Sequence, residues 1–283
     1  MLGAIIGDIA GSRFEWHNIK SKDFALFDPG CFPTDDSYMT LALAEALTVS
    51  RPDFSDLSVN AVREMQLWGR RHPDAGYGSR FREWLNSIAP RPYNSLGNGA
   101  AMRVSPAGFA AETLSEAKML ARMITEVTHN HPEGLKAAEA VASAIFLARV
   151  GLSLAEIRTY IDRNYYSMDF TLDEIRPHYR FDVTCQGSVP QAFMALFESS
   201  GFEDAIRNAI SIGGDSDTIA AIAGGMAEAV YGIPPEIRKK AMDYLDEESR
   251  KCLAAFKGRF PGDRPLAEQD IRDSIQETGI REK

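Results

Sequence analysis

Two acidic clusters carry the clearest chemistry in this chain: Thr34-Asp35-Asp36-Ser37 near its start, and Gly213-Gly214-Asp215-Ser216-Asp217-Thr218 far downstream. Each sets two carboxylates beside hydroxyls within a few residues, and each opens a stretch that reads as a helix. Crowded carboxylates raise one another's pKa, so such packing is unfavourable unless a cation is shared. Hard divalent ions such as Mg²⁺, Mn²⁺ or Ca²⁺ take oxygen ligands of this type. For either cluster alone, a plain helix cap is the sufficient reading, because Asp, Ser and Thr cap N-termini and carboxylates suit the positive end of a helix dipole. Two clusters of the same makeup shift the balance towards a metal site.

The elements that must position these residues read as helices almost throughout. Apolar residues recur at helical spacing over 37–49, 132–149 (started by a proline), 189–198, 202–212 and 219–231. The last of these, IAAIAGGMAEAVY, is small or apolar on every side, the pattern of a central buried helix that lets neighbours approach closely. No convincing strand alternation appears. The connecting segments are expected at 7–15, 28–33, 93–100, 128–132 and 185–190. Composition is that of an ordinary globular protein: 283 residues, 45% hydrophobic, 25% charged. A formal net charge of −9 argues against a non-specific nucleic-acid binder, although Arg70, Arg71, Arg80, Arg82, Arg91 and Arg103 could form a local basic patch. Cys31, Cys185 and Cys252 show neither disulfide nor zinc spacing, which predicts a reducing, cytoplasmic setting. The apolar start is short and interrupted by Asp8, so neither a signal peptide nor a membrane span is expected. No linker or repeat divides the chain. One domain over 1–283 is expected, with 258–283 a peripheral tail or terminal helix.

Five features occur in order: Gly7-Asp8-Ile9-Ala10-Gly11 followed by Glu15; the Thr34–Ser37 cluster; Gly97-Asn98-Gly99-Ala100-Ala101-Met102-Arg103; Thr128-His129; and Gly214-Asp215-Ser216-Asp217-Thr218. Together they resemble the ADP-ribosylglycohydrolase family, which includes the dinitrogenase-reductase-activating glycohydrolase and the ADP-ribosyl-acceptor hydrolases. The resemblance spans roughly residues 1–232, and its acidic motifs are the specific part. Ser37 stands where many members have Thr. The resemblance implies an all-α fold, a compact orthogonal multi-helix bundle around a central binuclear metal site holding two Mg²⁺, with Mn²⁺ as an alternative. It implies Thr34, Asp35, Asp36, Asp215, Asp217 and Thr218 as metal ligands, and Glu15 on a loop that closes over metal and substrate. The Gly97-Asn98-Gly99 turn, with Met102, would hold the diphosphate, and His129 would approach the ribose or a phosphate. The implied activity is metal-dependent hydrolysis of the bond between the terminal ribose of ADP-ribose and an acceptor, releasing ADP-ribose. The partners implied are an ADP-ribosylated protein or nucleic acid and no membrane, with the chain a monomer.

The residues support these roles physically. A Gly-Asn-Gly turn can take positive φ and offer backbone N–H groups, and the AAMRV that follows presents a helix start. Arg103 could add positive charge or pair with a nearby acid. His129 rises above an ordinary structural histidine only through the family match; His131 does not. Asp8 reads as a support behind the metal ligands rather than a ligand, and Gln186-Gly187-Ser188 as pocket lining ahead of a helix. Phe14, Trp16, Tyr77, Phe81, Trp84 and Tyr93 include candidate adenine stackers. Cleavage at the anomeric carbon develops oxocarbenium character, and a carboxylate of tuned pKa can activate water or protonate the leaving group. Glu15, Asp35 and Asp36 are the candidates for that role. Two rivals stand beside this reading. A non-catalytic relative could dispense with the acidic ligands, all of which are present here. A nucleotide pyrophosphatase on a helical scaffold would want paired ExxE ligands, whereas Glu45 and Glu139 sit alone. The acceptor (arginine, serine, an acetyl ester or a nucleic-acid base) lies beyond the shared anchor, in loops without pattern.

Overall fold

The computed structural model describes residues 1–261 and 266–280. Its helices are α1 (Leu2–Gly11), α2 (Asp35–Val49), α3 (Leu57–Arg71), α4 (Ser79–Asn86), α5 (Gly99–Met102), α6 (Ser105–Ala110), α7 (Leu114–Thr125), α8 (Pro132–Arg149), α9 (Leu154–Asn164), α10 (Leu172–Ile175), α11 (Cys185–Phe197), α12 (Phe202–Ser211), α13 (Ser216–Tyr231), α14 (Pro235–Ala241), α15 (Glu247–Arg259) and α16 (Glu268–Thr278). Among the described residues the only β pairing is an isolated antiparallel bridge between Gly97 and Thr184. The expected all-α, multi-helix architecture is therefore present. Helix α8 has the expected bounds, and α2, α11, α12 and α13 differ by a few residues at their ends.

Helix α13 is the hub. Every residue from Ser216 to Ala227 is buried, as expected for a stretch apolar all round. Its principal partner is α1, and glycine sets how close the two come. Gly3, Gly7 and Gly11 share one face of α1 at i, i+4, i+8 spacing. A Cβ on Gly3 would strike the Gly224 carbonyl, one on Gly7 the Ala220 carbonyl, and one on Gly11 the Asp217 backbone. Backbone-to-backbone contact at this seam brings Asp8 of α1 alongside Asp217 of α13.

Three expectations are corrected here. Residues 7–11 were expected as a connecting segment. They are the second half of α1, because their glycines serve helix packing and not chain flexibility; a short 3₁₀ turn, Ser12–Phe14, follows. Residues 185–188 likewise lie inside α11. Thr184 caps it by accepting from Gly187 N–H at 3.1 Å, so Gln186-Gly187-Ser188 is its first turn. Three of the six arginines are withdrawn from any common basic patch: Arg71 pairs with Glu248, Arg70 donates to the Leu85 carbonyl, and Arg103 is buried.

The terminal segment contains a helix, α16, that docks on α7. Ser274 Oγ accepts from Leu114 N–H at 3.2 Å, and Lys118 pairs with Glu277 at 2.7 Å. Residues 262–265 and 281–283, part of the expected tail, lie outside the described residues. No described helix is long and apolar enough to cross a membrane. Cys31, Cys185 and Cys252 are free and buried.

Candidate active site

The two acidic clusters, far apart in sequence, meet at the floor of a cleft of about 500 Å³. Each sits at the N-terminus of a buried helix. Thr34 caps α2, accepting from Asp36 N–H at 3.3 Å. Asp215 is the N-cap residue of α13, delivered by a turn in which Gly213 and Gly214 both have positive φ (70° and 75°). Only glycine adopts that backbone freely, and a Cβ at Gly214 would also strike the Tyr179 ring.

Carboxylate oxygens of Asp8, Asp36 and Asp217 lie within 4.8 Å of one another, and so do those of Glu15, Asp215 and Asp217. Asp217 belongs to both triplets. Thr218 Oγ1 donates to Asp36 Oδ2 at 3.2 Å, and Thr34 Oγ1 lies 3.4 Å from the same oxygen. Asp36 Oδ1 is buried and has no hydrogen-bond partner among the described residues. Asp35 lines the cleft but stands outside both triplets; its backbone N–H donates to the Ala75 carbonyl at 2.8 Å. Asp8 accepts from both N–H and Oγ1 of Thr34 (2.9 and 2.6 Å), from Ser37 N–H (3.1 Å) and from the Ser37 hydroxyl. It ties the start of α2 to α1, the supporting position expected of it, although its carboxylate also reaches the first triplet.

The electrostatics follow from burial without counter-charge. Burial, then the charges of Asp8 and neighbouring acids, pushes Asp36 well above the carboxylate range; burial, then Asp36 and Asp215, does the same to Asp217. Asp35 is raised by burial and by Asp8, Asp215 and Glu15. Glu15, half-buried, is pushed up to about 7 by burial first and by Asp215 and Asp8 next. Oxygen-only donors, clustered like charges and the orphaned Asp36 Oδ1 together fit a hard divalent cation.

Glu15 follows the 3₁₀ turn after α1, and the segment behind it is clasped to the second cluster. Asn18 Nδ2 donates to the carbonyls of Phe14, Glu15 and Gly214 at 2.7, 2.9 and 2.9 Å, and its Oδ1 accepts from Gly214 N–H at 2.8 Å. Lys20 extends the clasp to the carbonyls of Ile212 and, at 2.8 Å, Tyr179. Nothing in the sequence pattern singled out Asn18.

The opposite wall holds the Gly97–Gly99 turn. Asn98 N–H donates to Val183 O at 2.8 Å and Cys185 N–H to Leu96 O at 2.9 Å, which clamps the turn to the start of α11. Neither Gly97 nor Gly99 uses the positive φ open to glycine. Here glycine provides close approach, since a Cβ on Gly99 would lie 3.2 Å from His129 Nε2. The Asn98 side chain faces the acids, donating to Asp215 Oδ2 at 2.6 Å and to Ser188 Oγ at 3.1 Å. Helix α5, which follows, is a single turn. Met102 lines the cleft with its sulfur 4.0 Å from Thr218 Oγ1. Buried Arg103 meets Thr128 and His129 rather than an acid, and sits over the Phe81 ring with 5.1 Å to its centroid. Of the aromatic candidates, Trp16, Phe81 and Tyr93 line the cleft; Phe14, Tyr77 and Trp84 do not. Phe181, stacked on exposed Trp16 at 5.1 Å, and Val183 complete the rim without any sequence signal that marked them.

Fold and site thus define a class: an all-helical protein whose central helix carries a polycarboxylate centre at the bottom of a substrate-sized cleft. The chain belongs to the ADP-ribosylglycohydrolase family, whose sequence model matches residues 1–270. It is 26% identical to the mouse ADP-ribosylhydrolase ARH3, over 87% of this chain and 87% of that protein. It is 28% identical to an ADP-ribosyl dinitrogen reductase glycohydrolase of Rhodospirillum rubrum (82% and 84% covered). It is 27% identical to the ADP-ribosylarginine hydrolase Tri1 of Pseudomonas putida (83% and 71% covered). A solved structure described as an ADP-ribosylglycohydrolase-related protein complex shares the fold, with a TM-score of 0.66 at 24% identity, over 91% of this chain and 95% of that one.

Proposed function

We propose that this protein is a divalent-cation-dependent hydrolase, acting as one domain, that cleaves the bond between the terminal ribose of ADP-ribose and an acceptor on an ADP-ribosylated protein, releasing ADP-ribose. The observation that carries this reading is the division of one cleft. Buried carboxylates with an orphaned oxygen line one side. A glycine turn backed by His129 and Arg103 lines the other.

Asp36, Asp215 and Asp217, with the hydroxyls of Thr34 and Thr218 and with Asp35 at the cleft wall, would hold two Mg²⁺ (or Mn²⁺). Such ions supply Lewis-acid chelation of ribose hydroxyls and orientation of a water. The chain's own groups do the rest. The Gly97–Gly99 turn and Met102 seat the diphosphate where a side chain would obstruct it. His129 faces that turn. Asn98 holds Asp215 in place through its amide. Glu15, which burial and then Asp215 and Asp8 raise to about 7 in the metal-free cluster, is the carboxylate placed to exchange a proton with the attacking water or the leaving group. One of its carboxylate oxygens lies within 4.8 Å of oxygens of Asp215 and Asp217, so proton exchange would take place beside the carboxylates that would hold the ions.

The test is incubation with a panel of defined ADP-ribosylated substrates with and without Mg²⁺. Free ADP-ribose, formed only with the metal, supports the proposal. AMP would instead identify a pyrophosphatase, and no product from any substrate would identify a binding or structural relative.

A further inference from the structure

Arg103 is 1% exposed and forms no ion pair among the described residues. Its Nη2 donates to Thr128 Oγ1 at 2.6 Å and lies 3.0 Å from His129 Nδ1. The Thr128 hydroxyl is 2.8 Å from the same ring nitrogen. A guanidinium has donors and no acceptor. Nδ1 must therefore offer its lone pair, and in a neutral ring the single N–H is then at Nε2. That atom faces the glycine turn: a Cβ would come within 3.6 Å of it from Gly97 and 3.2 Å from Gly99.

We propose that Arg103 is a positioning residue that locks His129 in its Nε2–H tautomer, so that an uncharged imidazole presents a hydrogen-bond donor to an anionic substrate oxygen at the Gly97–Gly99 turn. The identity of that oxygen, a phosphate of ADP-ribose, rests on the function proposed above; the tautomer does not. On this reading His129 is a donor and takes no proton during turnover. The guanidinium polarises the Nε2–H bond from behind while never touching substrate itself. Burial and the adjacent positive charges of Arg103 and Arg80 oppose protonation of the ring, which keeps the donor neutral.

The experiment uses the ¹⁵N-labelled full chain. Long-range ¹H–¹⁵N correlations report the tautomer of each of the five histidines, with His129 assigned by its loss in His129→Gln. The expected result is a pyridine-type Nδ1 and a protonated Nε2 that stay unchanged from pH 6 to 8. An Nδ1–H ring, an even mixture, or an imidazolium in that range overturns the proposal. Combining Arg103→Met with Thr128→Val removes the guanidinium donor to Nδ1 and the hydroxyl, itself within 3.3 Å of the Thr125 carbonyl, that lies beside the same nitrogen. Loss of the single tautomer is expected, with on the order of tenfold weaker ADP-ribose binding by calorimetry. Arg103→Lys, which keeps a buried donor, should restore the Nε2–H signature. Retention of both tautomer and affinity in the double variant would show that Arg103 does not set the ring. If the double variant does not fold, the parent and Arg103→Lys spectra decide. If the parent binds no ADP-ribose, the proposed substrate falls and the spectrum alone decides the tautomer.

Discussion

The two walls of the cleft solve opposite electrostatic problems. On the carboxylate wall, Asp8, Asp36, Asp215 and Asp217 are buried together with no described lysine or arginine paired to them, and Asp36 keeps an oxygen with no partner. On the facing wall, Arg103 is buried with no acid paired to it among the described residues, and its guanidinium meets Thr128 and His129 behind the glycine turn. Either wall alone is an unfavourable burial of charge. On the function proposed above, the ligand would bring cations to one side and an anion to the other. A metal-bound ribose joined to a diphosphate has that polarity.

The largest effect should come from the carboxylate wall. Asp217→Asn, at the residue shared by both triplets, is expected to reduce ADP-ribose release at least about 10³-fold, because several kcal/mol of transition-state stabilisation depend on the ions it helps hold. Mg²⁺-dependent turnover close to that of the parent would break the division of labour drawn here. Glu15→Gln, constant in size, should lower kcat by about 10²–10⁴-fold, the usual contribution of a general acid–base group. Calorimetric ADP-ribose affinity should stay near the parent value, and a loss confined to affinity would move Glu15 from chemistry to binding.

The anchoring wall should behave the other way round. Gly99→Val pushes a side chain towards His129 Nε2, and ADP-ribose binding should weaken by about 10- to 100-fold, equivalent to losing a hydrogen bond to a charged group. Turnover at saturating substrate should persist. Unchanged affinity in this variant would remove the turn from the anchor.

The smallest effect is on stability, and its sign is specific. Glu15 titrates near 7 in the fold against an ordinary value of 4.5. Asp35 is raised likewise, from 3.8 to about 8. A folded pKa above the unfolded one contributes stability that is complete below the unfolded value and lost as pH rises through the folded value. The metal-free protein should therefore melt at progressively lower temperature as pH rises above 3.8, through the folded values of about 7 and about 8. Mg²⁺ should reverse that trend, since its ligands must be deprotonated. One ion at about 100 times its Kd adds about 2.7 kcal/mol. Melting curves indifferent to chelator, Mg²⁺ and pH would separate the acids from any metal.

The motifs were legible because their chemistry is compressed into short runs. Thr34–Ser37 and Gly213–Thr218 announce their carboxylates, and the run of Ala, Gly and Ile in α13 announces a buried centre. The glycines of α1 were legible as residues but not as contacts. Gly7 and Gly11 look like a flexible turn until α13 is seen pressed against them. Asn18, Phe181 and Val183 carry no pattern at all, because each acquires its role from a partner nearly two hundred residues away or from its place on the rim.

By itself, the sequence determined the helical class, the bounds of α8, the two acid clusters and the family. These depend on local periodicity, capping and short motifs, which act within a few residues. Tertiary structure alone decided that Asp8 and Asp217 stand together, that Asn98 at the cleft lining also braces Asp215, and that Arg103 meets a histidine and not an acid. Those outcomes depend on how closely α1 can approach α13 and on how the Gly97 turn is clamped to α11. Such close approaches are set by steric fit between segments far apart in the chain, and no local pattern encodes them.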